Sequence, residues 1–149
     1  MVEETLKLES LINQIMDYIK KTPEKEISMN LNPKKWSKKQ ILGHLVDSGI
    51  NNLQRFTEIQ FEEKPYNLRT YKQDELVEAN FYQTSETSEI LGLLTAINKR
   101  IISIIKVLDD EALNYEITTY NNEKFDLRFL IEDYVNHFEH HTKQIIQYD

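Results

Sequence analysis

The chain has 149 residues, 40% of them apolar and 29% charged, with three glycines, three prolines and no cysteine. That length suits one domain, residues 1–149, with a core of its own, and the scarcity of breakers favours long helices over the many turns of a β-sandwich. The missing cysteines exclude disulfides, thiolate metal sites and cysteine nucleophiles, and a net charge of −7 argues against nucleic acid as a partner, because that binding rests on neutralising phosphates.

The acidic first ten residues lack the basic-then-apolar pattern of a secretory signal. No run approaches the ~20 apolar residues that span a bilayer. A cytoplasmic protein without a membrane partner is therefore expected. The first helix is predicted over about residues 4–21, where Leu8, Leu11, Ile12, Ile15, Met16 and Ile19 recur at helical spacing. Thr22-Pro23 ends it, since the residue before proline avoids helical angles. A polar connection follows to about Pro33. The basic run Lys34, Lys35, Lys38 and Lys39 reads as a solvated helix start rather than a phosphate site.

Ser37 with Gln40 three residues later forms a capping box for the second helix. Its stripe is Ile41, Leu45, Leu53, Phe56 and Ile59, running to about Phe61. A long polar stretch spans residues 62–84, with a short helix predicted over about 74–82, and its length calls for a crossover. The third long helix covers about 86–108, capped by Ser85, with Ile90, Leu94, Ile97, Ile101, Ile104, Ile105 and Leu108 inward. Residues 109–124 read as an irregular loop, with an extended pair at YEITTYNN as the alternative. Asp126 caps the last helix, and Phe125 with Leu130 makes a hydrophobic staple. That helix reaches about Gln147, and its stripe is Leu127, Leu130, Ile131, Tyr134, Phe138, Ile145 and Tyr148. The sum is an all-α four-helix bundle whose crossover carries a short extra helix.

The four histidines are His44, His137, His140 and His141. His141 falls on the buried stripe and His137 at its margin, one turn earlier, so their imidazoles can converge on one ion. His44 borders the core face of the second helix. Three imidazoles on facing helices would leave coordination positions open, as in catalytic sites. His140 shares the polar side with Asp133, Asn136 and Lys143 and reads as solvent-facing, or at most a supporting group. Packed core histidines and solvated helix faces give the same spacing, which alone does not separate them from a metal site. The zinc-protease pattern HExxH is absent, because Phe138 stands where its glutamate would.

The segment KWSKKQILGHLVDSGINNLQRF, residues 35–56, resembles the second helix of the DinB-like superfamily, especially its YfiT-like branch. LIEDYVNHFEHHTKQI, residues 130–145, resembles that family's last helix, and Tyr71-Lys72-Gln73-Asp74 adds to the likeness. The resemblance implies a four-helix bundle that binds a divalent metal, zinc or nickel, through His44, His137 and His141. It also implies a metal-dependent transferase joining a low-molecular-weight thiol to an electrophilic small molecule. Metal-dependent hydrolysis and a non-catalytic, stress-linked metal-binding module are the alternatives. A homodimer fits the family, although no apolar stripe is left over to build one. Asp47, one turn after His44, and Asp133, one turn before His137, are placed to orient the ligands or to form surface ion pairs. Arg55, with Asn51 and Asn52 nearby, is placed either to face a pocket mouth and hold a carboxylate of the thiol or to stand in solvent. Relatives often carry aspartate and tryptophan where this chain has Lys72 and Leu76, which puts any particular substrate in doubt.

Overall fold

The four apolar stripes become four long helices, and short elements between them decide the routing. In the computed structural model, which describes residues 1–147, the order is α1 (Val2–Lys21), α2 (Glu24–Ser28), α3 (Lys38–Glu58), β1 (Tyr66–Asn67), α4 (Gln73–Ala79), a 3-10 turn (Tyr82–Thr84), α5 (Thr87–Ile105), α6 (Asp110–Leu113), β2 (Glu116–Thr118), β3 (Lys124–Asp126) and α7 (Leu127–Ile146). Leu8, Leu45, Phe56, Ile101, Ile131 and Phe138 are fully buried at the centre, each burial contributing about 1.5–3 kcal/mol. The stripe residue Tyr148 lies outside the described residues. Among the described residues no helix is long and apolar enough to cross a membrane.

α3 packs on α5 and α7, and α1 packs on the same two helices. Lys39 Nζ donates to Ser85 O beside the start of α5, and Gly49 sits against Ile97, so α3 and α5 run parallel. Lys7 meets Glu139, while Thr5 and Arg128 line one hollow, so α1 and α7 are parallel too. Parallel neighbours cannot be joined by a tight turn. The chain must travel back along the bundle between α3 and α5, which is the crossover expected from the long polar stretch. α3 and α7 are antiparallel, since His44 faces His137 and His141 while Gly49 lies near Tyr134.

Local rules fix several boundaries. Both bonds of the Ser37–Gln40 capping box form, at 2.9 and 3.1 Å. Asp126 Oδ1 accepts from Phe129 N at 2.8 Å. The Phe125 ring lies against Phe129, with centroids 5.3 Å apart, and both Phe125 and Leu130 join the apolar cluster.

Other expectations are corrected. α5 starts at Thr87, so Glu86 takes the N-cap position, without a side-chain cap, and Ser85 stands one residue too early, its hydroxyl donating to Phe81 O. α3 stops at Glu58 and α5 at Ile105. The short crossover helix spans Gln73–Ala79 and is broken by Phe81 in the left-handed region, φ 53°. α2 is an additional helix in the first connection. Lys38 and Lys39 are buried and not solvated: Lys38 donates to Tyr18 Oη, and Lys39 pairs with Glu24, tying the first connection and the head of α5 to α3.

Residues 109–124 are also more ordered than an irregular loop. They hold α6 and the first strand of a hairpin, with Ile117 opposite Phe125 and Asn122 at φ 64° in its turn. A lone hairpin is marginal in water. Here β1 adds a third, parallel strand, pairing Tyr66 with Ile117, and Ile117 is fully buried.

Candidate metal centre

His44 sits in the second turn of α3, where the Ser37 cap sets the helix phase. His137 and His141 come from successive turns in the second half of α7. The antiparallel packing of α3 and α7 brings the three together. His137 Nε2 stands 3.0 Å from His44 Nε2 and 3.1 Å from His141 Nε2, and one ligand atom from each histidine lies within 4.8 Å of the others. Two nitrogens about 2.0–2.1 Å from one ion stand about 2.9 Å apart at a right angle and about 3.3 Å apart at a tetrahedral angle, so these spacings fit a shared divalent ion.

Proton accounting points the same way. His137 Nε2 carries either one proton or one lone pair, yet it faces two other Nε2 atoms. Burial, followed by the charges of His141 and His137, pushes His44 down to about 3. Burial pushes His141 down to about 4 against the opposing effect of its Gln144 bond. His137 is lowered by burial and by His140. All three are therefore neutral near pH 7, the form that donates a lone pair to a metal. The cluster could hold a metal ion.

The surroundings hold residues that the histidine spacing did not point to. His141 Nδ1 lies 2.7 Å from Gln144 Oε1, and Gln144 Nε2 lies 3.3 Å from the exposed His140 Nε2. The signal for Gln144 was its place one turn after both histidines. Trp36 covers His44 with ring centroids 4.8 Å apart. A cleft of about 380 Å³ opens beside the cluster, lined by Lys34, Lys35, Trp36, Ile41, Asp74, His141 and Gln144.

Asp47 forms no surface ion pair. It is 3% exposed, and its Oδ1 accepts from Tyr82 Oη at 2.7 Å and from Asn80 Nδ2 at 3.0 Å. Burial raises its pKa against those two bonds. Its Oδ2 and the buried Nδ1 of His44 both have no hydrogen-bond partner. Asp133 is exposed, and its charge acts on Arg55.

Arg55 is half-buried, donates to Asn52 Oδ1 at 3.3 Å and to Arg69 O, and lies over the Tyr71 ring. It thus ties the crossover to α3. Asn52 is buried and donates to Ser48 O, while Asn51 donates to Asp47 O. Lys72 is the exposed residue before α4, and Leu76 lies half-buried within it. Glu139 pairs with Lys7 and Lys143, away from the cluster.

A family model of the DinB superfamily matches residues 7–145. Candidate metal-dependent hydrolases of Bacillus cereus and Bacillus anthracis are 25% identical over 138 residues, spanning 93% of this chain and 79% of theirs. YfiT from Bacillus subtilis, described as a candidate metal-dependent hydrolase with an unusual four-helix bundle topology, matches with a TM-score of 0.87 at 23% identity. That match covers 97% of this chain and 83% of YfiT. A mycothiol-dependent maleylpyruvate isomerase matches with a TM-score of 0.72 at 12% identity, over 96% of this chain but 59% of the isomerase. These two structural matches show a common fold.

Proposed function

This chain belongs to the DinB superfamily, and from that premise we propose that it is a divalent-metal-dependent transferase joining a low-molecular-weight thiol to an electrophilic small molecule. The observation that carries the reading is the convergence of the His44, His137 and His141 Nε2 atoms beside an open cleft. Three protein ligands leave room for reactants, whereas structural sites close all four positions with protein atoms. An all-imidazole set suits zinc or nickel. Such an ion supplies Lewis acidity that brings the pKa of a bound thiol or water toward neutrality.

The chain's own residues bind and orient. The aliphatic face of Ile41 and the Trp36 ring offer an apolar wall to an electrophile. Lys34 and Lys35, exposed at the rim, attract carboxylates of an acidic thiol and oppose the net charge of −7. Asp47 holds Tyr82 and Asn80 of the crossover against α3, one turn from His44. With no cysteine in the chain, the reacting sulfur comes from the cosubstrate.

Hydrolysis is the second reading, favoured by the description of the Bacillus relatives. The two separate in one assay. Zinc- or nickel-loaded protein is incubated with 1-chloro-2,4-dinitrobenzene and with an activated ester, each with and without a panel of thiols that includes bacillithiol and mycothiol. Thiol-dependent loss of the aryl chloride supports the transferase. Ester turnover that no thiol accelerates, with the chloride untouched, refutes it in favour of the hydrolase.

A further inference from the structure

Gln144 is one turn past both His140 and His141 on α7, and its amide touches both. The Oε1 atom lies 2.7 Å from His141 Nδ1, and Nε2 lies 3.3 Å from His140 Nε2. An amide oxygen only accepts and an amide nitrogen only donates. The contact therefore places the His141 proton on Nδ1 and leaves the Nε2 lone pair directed at His137 and the metal cluster. The reversed amide would donate to Nδ1, move the proton to Nε2 and block that atom as a ligand. His140 holds this orientation in the tautomer whose Nε2 carries the lone pair, since that atom then accepts from the amide nitrogen and keeps the oxygen on His141.

We propose that Gln144 is a positioning residue that fixes His141 in its metal-binding tautomer, with His140 orienting the Gln144 amide. This rests on the three-histidine reading of the centre and gives a function to the fourth histidine, which does not reach the cluster. Supporting partners of metal-bound imidazoles act in this way elsewhere, and their loss costs ~10–100-fold in metal affinity. Both Gln144 and His140 are exposed, so their replacement removes no core packing.

The test uses full-length protein and Zn²⁺ affinity from competition with a chromophoric chelator, alongside imidazole ¹⁵N NMR of the metal-free protein. Gln144→Met is expected to weaken Zn²⁺ binding about tenfold, with the fold unchanged by circular dichroism. Gln144→Glu keeps an acceptor on His141 and is expected to restore parental affinity. His140→Ala is expected to fall between the two. In the metal-free parent the His141 proton resides on Nδ1, and in Gln144→Met it redistributes toward Nε2. Affinity of Gln144→Met within twofold of the parent, or a Gln144→Glu variant as weak as Gln144→Met, overturns the proposal. So does an Nε2–H tautomer in the parent. A parent that binds no Zn²⁺ defeats the metal reading itself, and the NMR arm then still decides the role of Gln144.

Discussion

Alanine in place of a helical glycine ordinarily stabilises, yet Gly43→Ala is expected to do the opposite here. Gly43 lies within α3, so the backbone preference alone favours alanine by about 0.8–1 kcal/mol. An added Cβ would stand 2.1 Å from Tyr82 Cδ2 and 2.2 Å from Tyr82 Cγ. Those atoms are the root of a buried ring and cannot swing clear as a flexible tip would. Forcing the ring aside costs about 3 kcal/mol by overpacking. Losing its bond to Asp47, now 2.7 Å, adds about 1 kcal/mol.

The net is a destabilisation of about 3 kcal/mol, or a Tm lowered by about 6–12 °C in a chain of this size. Gly92 provides the internal control. Nothing lies within 4 Å of the Cβ it would gain, so Gly92→Ala should stabilise by about 0.5–1 kcal/mol. Urea and thermal unfolding of the three proteins, followed by circular dichroism, measure both effects. A Gly43→Ala protein as stable as Gly92→Ala would refute the packing of Tyr82 on α3.

Three further outcomes are expected. Metal content by mass spectrometry should be stoichiometric zinc or nickel in the native protein and fall sharply in His137→Ala, and equal content would remove His137 from the centre. Native pKa values pushed to about 3 for His44 and about 4 for His141 lie below the unfolded value of about 6.5. The unfolded chain therefore binds more protons in that window, and the metal-free protein should lose stability as pH falls below about 6.5. Urea midpoints between about pH 5 and 7 that stay flat would mean that these imidazoles protonate in the folded state. Tyr134→Phe leaves Asn98 Oδ1, which accepts from Tyr134 Oη at 2.7 Å, buried without that donor. A loss of about 1–3 kcal/mol is expected, and an unchanged unfolding midpoint would argue against that bond.

The sequence by itself determined the four long helices, because a stripe recurring every three to four residues has one efficient way to be buried. It also determined two of their starts, since the Ser37–Gln40 box and the Asp126 cap act within one turn and need no distant partner. The inward faces followed from those starts, and with them the exposure of His140 and the placing of His44, His137 and His141 near the core.

Tertiary structure decided what depends on contacts between distant residues. The third strand of the sheet joins Tyr66 to Ile117, fifty-one residues on, so residues 109–124 alone could not reveal it. Lys38 and Lys39 read as surface charges until Tyr18 of α1 and Glu24 of the first connection meet them. Asp47 likewise reads as a helix-surface acid, and only the return of the crossover with Asn80 and Tyr82 buries it. The three-histidine cluster shares both origins. Spacing sets two imidazoles one turn apart on α7, but only the antiparallel docking of α3 delivers the third to within 3.0 Å.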